Sequence, residues 1–175
     1  MQRVKWMDTA CFYQIFVERF NVGNRKKDLS YVNMEWDGIP TPKSFAGGDL
    51  QGICQKLEYL KDLGINAVYL TPVFKSISNH KYDISDYYSI DTAFGDKEVF
   101  RQLVDKAHSL GMKIVMDAVF NHCSENLLQF QDVLKHGRKS PYYDWFVITS
   151  DNPLEYECFA ACKYMPKFNT SNPEV

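Results

Sequence analysis

The sequence predicts an α/β fold built on a parallel sheet, and three observations lead to that prediction. A strand, a polar loop and a helix follow one another repeatedly along the first 122 residues. Polar side chains collect where the strands end, as expected at the carboxyl edge of a parallel sheet. No GxGxxG dinucleotide-binding motif follows a strand, which disfavours the doubly wound class. The pattern therefore favours the start of a (β/α)8 barrel, with strands 1 to 3 present.

The chain begins with a predicted strand and a long loop. Residues 11–17, CFYQIFV, are rich in the aromatic and β-branched side chains that favour strands. Residues 21–46 are polar, contain glycines and prolines and show no sustained period, which predicts a surface loop unusually long for a compact domain. Gly47 and Gly48 allow unusual backbone angles, and Asp49 is predicted to cap the following helix.

The next segment predicts a helix and a second strand. Apolar residues recur at helical spacing from Leu50, and Gly64 is the expected residue after the helix end. Residues 65–70, INAVYL, predict the second strand, and a strand, helix and strand in this order form a right-handed crossover. Residues 71–95 are predicted to form a second long loop, dense in groups that hydrogen-bond or stack.

The third strand is the most informative segment. A helix over about 96–110 leads to the stretch 111–123, GMKIVMDAVFNHC, whose apolar run predicts a strand buried on both faces. Asp117 interrupts that run, and a buried carboxylate costs several kcal/mol unless a partner compensates it. Asn121 and His122 follow at the strand end. These residues indicate a site, although an ordinary polar strand end gives the same pattern.

The pattern changes after His122, and this change defines the predicted domains. Residues 123–175 are rich in proline and aromatic residues and contain one helix-like piece near 126–136. We predict that residues 1–122 form the first part of the barrel. We predict that residues 123–175 form an irregular subdomain inserted in the loop after the third strand.

Charge and composition exclude some classes of partner. A net charge of −2 and a pI near 6.1 predict neither nucleic acid nor an anionic membrane as a partner. The first 20 residues include several charges, which disfavours a signal peptide or a membrane span and predicts a cytoplasmic protein. The aromatic content of 15% suits sugar stacking and a large core equally.

The five cysteines are predicted to be reduced thiols. They lack CxxC spacing, and a free thiol inside an apolar pattern behaves as a small hydrophobic group. Cys158 and Cys162 are four positions apart and could bridge only if the local backbone allowed it. A zinc site is disfavoured because no histidine stands nearby in the sequence.

Eight segments follow one another along the chain: FYQIFVERF, FAGGDLQGI, YLTPVF, NHKYDISDYY, FGDKEVFRQLV, GMKIVMDAVFNHC, YDWF and MPKFNTSNPEV. In this order they resemble the opening half of the α-amylase catalytic domain (glycoside hydrolase family thirteen). DAVFNH is similar to the first signature motif of that family. MPKFN is similar to the motif of its branch of neopullulanases, cyclomaltodextrinases and maltogenic amylases. The resemblance spans nearly the whole chain and implies an N-terminal part of a (β/α)8 barrel.

The resemblance implies roles for five residues. Tyr82 matches a tyrosine that stacks beneath the sugar whose bond is cut, and His122 matches a histidine that hydrogen-bonds its hydroxymethyl oxygen. Asp117 matches an aspartate that supports an arginine near the nucleophile, and Asp83 shares that supporting role. Asn121 matches a calcium ligand of many relatives, although this branch often lacks that calcium ion. Tyr82 as a simple loop anchor and His122 as a structural histidine are the alternatives.

A structural calcium ion is the cofactor that the resemblance allows, with oxygen ligands from the first long loop and the Gly-Gly-Asp turn. Two features oppose it. Val22 stands where an asparagine ligand is expected, and Lys26 and Lys27 bring positive charge close by. The residues at the positions of the calcium ligands in relatives of this branch are Asn24, Asp28, Gly47 and Asp49.

The implied activity is retaining hydrolysis of α-1,4-linked glucans or cyclomaltodextrins in carbohydrate metabolism. A retaining glycosidase needs two carboxyl groups about 5 Å apart. In the family these groups come from later strands, so the 175-residue chain is expected to hold no catalytic carboxylate and to be inactive by itself. A transglycosylase and a non-catalytic carbohydrate-binding relative are the alternatives. The open sheet edges predict self-association or a homo-oligomer.

Overall fold

Parallel strands alternate with helices in the first part of the chain, and shorter elements follow. The computed structural model describes residues 4–175. Short 3₁₀ turns at Lys5–Thr9, Gly137–Lys139, Tyr143–Trp145 and Phe159–Ala161 complete the secondary structure. In chain order the elements are β1 (Phe12–Ile15), α1 (Val17–Phe20), α2 (Leu50–Asp62), β2 (Ala67–Leu70), β3 (Phe74–Ser76), β4 (Ile84–Ile90), α3 (Lys97–Ser109), β5 (Lys113–Met116), α4 (Leu128–His136), β6 (Ile148–Asp151) and β7 (Leu154–Tyr156).

The predicted parallel sheet is confirmed, with strand order β1-β2-β5. Ala67 of β2 lies opposite Phe12 of β1 and Lys113 of β5. β2 is central, and Val68 and Leu70 are fully buried. The prediction that β5 is buried on both faces is wrong. Its apolar side chains are half-buried, because within residues 4–175 β5 pairs with β2 alone and forms an edge of the sheet.

The two helices predicted within residues 1–122 are confirmed as α2 and α3, and local chemistry sets their ends. Asp49 accepts a hydrogen bond from the Gly52 amide at 2.7 Å, and Asp96 accepts one from Val99 at 2.8 Å. These carboxylates satisfy amides that have no partner within the helix. Gly64 follows α2 with φ +85°, the left-handed conformation that glycine adopts without strain.

Two predicted irregular segments contain strands. Residues 71–95 include β3 and β4, which pair with each other, and residues 123–175 include the antiparallel pair β6 and β7. β4, ISDYYSI, is buried at both ends and mostly half-buried between them. Such a strand lacks the long apolar run from which buried strands are predicted, so its polar residues resembled a loop. The predicted helix near 126–136 is confirmed as α4.

The chain divides into two compact units. The first contains the chain up to Val73 together with Ser89–Asp117, and the second contains Phe74–Tyr88 and Ala118–Val175. The core of the second unit is a cluster of five buried side chains. The division at residue 122 into barrel and inserted subdomain stays a prediction. The cluster consists of Cys123, Leu127, Phe130, Val133 and Phe146.

Two further sequence predictions concern cysteines and membrane spans. All five cysteines are free thiols, as predicted. Among residues 4–175, no helix has the length and the apolar character that crossing a bilayer requires.

Candidate active site

Asp83 closes the loop between β3 and β4 in the second unit. It is buried, and its Oδ1 atom accepts a hydrogen bond from the Ser76 hydroxyl at 2.6 Å and another from the Ser78 hydroxyl. Two hydroxyl donors compensate part of the cost of burying a carboxylate. The supporting role that the resemblance implies for Asp83 stays a prediction, but the described contacts give Asp83 a local task, which is to hold the loop.

Lys81 holds the same loop, and no local pattern in the sequence predicted this role. The residue is buried and has φ +61°. Its ammonium donates to the Ser76 carbonyl at 2.9 Å, and its amide donates to the Ser78 hydroxyl at 3.0 Å. Lysine is rarely buried, and a positive φ is uncommon for any residue other than glycine. The loop is therefore held in one unusual conformation immediately before Tyr82.

Tyr82 lies half-buried at the end of this loop. Its amide donates to Nδ1 of His80 at 3.1 Å, and the two rings lie 5.9 Å apart at an interplanar angle of 34°. The geometry presents an aromatic ring whose backbone is fixed on both sides. A fixed aromatic ring can stack on a sugar with little loss of conformational entropy.

His122 is buried beside the Tyr82 backbone in the same unit. Its ring stacks on Phe159, with centroids 4.6 Å apart and an angle of 26° between the ring planes. The His122 carbonyl accepts a hydrogen bond from the Tyr87 hydroxyl at 2.9 Å, and residue 122 forms a β-bridge with Lys167. Tyr82 and His122, the two residues predicted to bind sugar, lie in the same unit, and the Tyr82 backbone is a hydrogen-bond partner of the His122 ring. Phe159, which the sequence analysis did not single out, is part of this cluster.

The hydrogen bonds of His122 indicate which ring nitrogen carries the proton. The Asn121 side chain lies with its amide nitrogen 3.2 Å from Nδ1 of His122. An amide nitrogen can only donate, so Nδ1 is the acceptor and the proton of the neutral ring is on Nε2. Nε2 is buried and makes no hydrogen bond of ordinary geometry within residues 4–175. The Tyr82 backbone also acts as a hydrogen-bond partner of the ring, so a ligand oxygen would compete with that backbone for the Nε2 proton.

Burial lowers the pKa of His122 below its ordinary value of 6.5, although the Tyr82 backbone and the Asp83 carboxylate act in the opposite direction. The ring is therefore neutral at pH 7. The pKa of His122 is lower in the folded chain than in the unfolded chain. As the pH falls below 6.5, the unfolded chain therefore binds a proton at His122 before the folded chain does. The stability supplied by the neutral ring is lost in that range.

We expect His122 to titrate below the ordinary imidazole pKa of 6.5, because burial lowers its pKa. The measurement is an NMR pH titration of the imidazole protons of the 175-residue chain between pH 4.5 and 8. The His122 resonance is assigned by its loss in the His122→Asn variant. A His122 midpoint at or above 6.5 would contradict the expectation.

Asp117 is in the first unit, directly after β5. Its amide donates to the Leu70 carbonyl at 3.0 Å, and its side chain is hydrogen-bonded to the Tyr69 hydroxyl. Burial first, and then this carboxylate, raise the pKa of Tyr69. Asp117 is half-buried, not buried as expected from the sequence, because β5 is an edge strand.

Three of the four residues proposed as calcium ligands, Asn24, Asp28 and Asp49, do not fit a calcium ion as their side chains are arranged. Gly23 and Gly52 donate to one Asp49 oxygen, and Asn24 and Lys27 donate to the other. The Asn24 side chain oxygen accepts from the Lys26 amide, and Asp28 accepts from the Ser30 amide. Oxygens that already accept hydrogen bonds are not arranged around a cation. Within residues 4–175, no group of three His, Cys, Asp or Glu side chains is arranged to hold a metal.

A cavity of about 660 Å³ lies elsewhere in the second unit. Its lining includes Tyr87, Tyr88, Phe120, Trp145 and Phe168. None of the residues predicted to bind sugar lines it. The cavity therefore does not mark the site predicted from the sequence.

The sequence of this chain is similar to those of known proteins. The family model "Alpha amylase, catalytic domain" matches residues 14–175. The chain belongs to the α-amylase family. A cyclomaltodextrinase of Thermoanaerobacter pseudethanolicus is 53% identical over 98% of the chain, and an intracellular maltogenic amylase of Bacillus subtilis is 51% identical over 99%. The branch predicted from the sequence is confirmed.

Solved structures of this family identify the fold. The cyclic α-maltosyl-(1→6)-maltose hydrolase of Arthrobacter globiformis superposes with a TM-score of 0.87 at 42% identity over 97% of the chain. The three parallel strands are thus the N-terminal part of a (β/α)8 barrel. The chain covers 39% of that structure, and 31% and 30% of the two curated relatives. The α-amylase family members that it matches are therefore much longer.

Proposed function

We propose that the chain is part of a retaining α-glucan hydrolase that acts on α-1,4-linked glucans or cyclomaltodextrins. The observation that carries the proposal is the pairing of Tyr82 and His122 in one compact unit. His122 has a neutral buried ring whose Nε2 makes no hydrogen bond of ordinary geometry among the described residues. Tyr82 offers a ring face and His122 a hydrogen-bond donor, which suit the apolar face and the hydroxyl groups of a glucose unit.

The other predicted residues have supporting roles in this proposal. Asn121 holds the His122 tautomer, Asp83 holds the loop that carries Tyr82, and Asp117 orients Tyr69 at the end of β5. The matched relatives are named as hydrolases of cyclodextrins or as amylases. An intracellular location is part of the proposal, and the Bacillus subtilis relative, which is named an intracellular maltogenic amylase, supports it.

We propose that the 175-residue chain alone has no hydrolase activity. Retaining hydrolysis requires a nucleophilic carboxylate and an acid carboxylate about 5 Å apart. In the first unit Asp117 is hydrogen-bonded to Tyr69, and in the second unit Asp83 is bonded to two serines. Neither the Asp117 nor the Asp83 carboxylate is therefore arranged as a member of the catalytic pair. The sugar pocket and the reacting carboxylates would then come from different parts of a longer protein.

The test is maltose release from β-cyclodextrin by the longer product of the same gene. His122→Ala removes one hydrogen bond to the sugar, and Tyr82→Ala removes one stacking surface. Each loss is expected to lower kcat/KM by about tenfold or more. His136→Ala is the matched control, because His136 is an exposed histidine of α4. The activity of this variant should equal that of the unchanged protein. No maltose release by the longer protein would contradict the hydrolase, and release by the 175-residue chain would contradict its inactivity.

A further inference from the structure

Lys27 lies in the long loop after α1, and its ammonium is surrounded by oxygen atoms. Its side chain is only 10% exposed. Its Nζ atom is 3.1 Å from Oδ2 of Asp49, 2.6 Å from the Ala93 carbonyl and 3.5 Å from the Gly48 carbonyl. These oxygens come from the Gly-Gly-Asp turn and from the segment before α3. One ammonium therefore joins three segments that are distant in sequence.

The Asp49 carboxylate is fully used by these contacts. A carboxylate has about four lone-pair positions. Its Oδ1 atom accepts from the Gly23 amide at 3.0 Å and from the Gly52 amide at 2.7 Å, and its Oδ2 atom accepts from the Asn24 amide at 3.1 Å and from Lys27. The side chain is 2% exposed. A metal ion could bind Asp49 only if it displaced one of these donors.

A second buried carboxylate adds negative charge near Lys27. Glu18 is 1% exposed, and its Oε1 atom accepts from the Gly47 amide at 2.6 Å. Its Oε2 atom is buried and has no hydrogen-bond partner within residues 4–175. Burial raises the pKa of Glu18, and the backbone amides, Arg19 and Lys27 oppose that rise. Two buried carboxylates in one region create a need for positive charge.

We infer that Lys27 is the internal cation of this region and takes the place that the family resemblance reserves for calcium. A tethered ammonium supplies one positive charge and three donors, which match the carboxylate and carbonyl oxygens around it. It needs no ion from solution. The long loop, the start of α2 and the segment before α3 are held together by Lys27, and their stability is independent of calcium.

The test compares thermal unfolding of four forms of the 175-residue chain in 5 mM EDTA and in 5 mM CaCl2. They are the unchanged chain, Lys27→Met, the exposed control Lys26→Met, and the double variant Lys27→Met with Asp49→Asn. Lys27→Met keeps the length of the side chain but leaves the Asp49 charge buried without its partner, so Tm should fall by about 10 °C. Asparagine still caps a helix, so the double variant should regain at least about half of that loss.

The calcium comparison and the double variant decide the inference separately. The unchanged chain should have the same Tm in EDTA and in calcium within about 2 °C, and Lys26→Met should match it. A calcium-dependent rise of about 5 °C or more in the unchanged chain would overturn the inference, as would an unaltered Tm in Lys27→Met. If Lys27→Met does not fold, a folded double variant supports the inference, and a double variant that also fails to fold overturns it.

Discussion

Replacing Phe130 with alanine is expected to lower the free energy of unfolding of the second unit by about 3–5 kcal/mol. Phe130 is fully buried and belongs to the five-residue cluster of that unit. Its ring meets Phe146 and Tyr156 edge to face, each at a centroid distance of 4.8 Å. Alanine removes the buried apolar surface, both ring contacts and the support of the surrounding side chains.

The measurement for Phe130→Ala is amide hydrogen exchange followed on peptides from both units. Peptides from residues 118–175 should exchange much faster than in the unchanged chain, whereas peptides from α2 and α3 should change little. Leu134→Ala on the same helix is the control, since Leu134 is 42% exposed and should alter exchange only slightly. Equal exchange in Phe130→Ala and Leu134→Ala would show that the cluster is not the core of this unit.

Replacing Gly52 with alanine is expected to destabilise the first unit by about 3 kcal/mol or more. In an ordinary helix this change stabilises by up to about 1 kcal/mol. Here a Cβ atom on Gly52 would lie 2.0 Å from the Asn21 carbonyl oxygen and 3.0 Å from the Gly23 amide nitrogen. The long loop crosses the first turn of α2 against bare backbone, so either the loop or the helix must move.

Gln51→Ala is the matched control for Gly52→Ala, because Gln51 is the exposed neighbour in the same turn. Its free energy of unfolding should change by less than about 0.5 kcal/mol. Urea denaturation followed by circular dichroism measures both variants. The close approach of the loop backbone to Gly52 also explains why the Gly23 and Gly52 amides donate to the same Asp49 oxygen. A Gly52→Ala variant as stable as the unchanged chain would show that the loop does not need this contact.

Repeating local patterns were sufficient to predict most elements of the first unit. Apolar spacing in α2 and α3, cap residues at Asp49 and Asp96, and glycines after both helices act over a few residues. Their positions are therefore visible in the sequence. β4 was missed because a half-buried strand with polar and aromatic residues lacks a long apolar run.

The candidate site was predicted in part. The motifs around Tyr82 and His122 indicated sugar binding, and the structure places both residues in one unit. Phe159, which stacks on His122, and Lys81, which fixes the Tyr82 loop, were not predicted. Neither has a local signal, because a stacking partner 37 positions away and a buried lysine depend on chain segments that meet only after folding.

The sequence by itself determined the three parallel strands, the helices α2, α3 and α4 and the family, because caps, periodicity and ordered motifs are local properties. Tertiary structure alone decided which cation holds the first long loop. Lys26 and Lys27 are neighbours in the same polar run, yet only the Lys27 ammonium is seen beside Asp49 and the Ala93 carbonyl. That difference arises from where distant oxygens converge, and electrostatic energy depends on the distances between charges in space rather than on their separation along the chain.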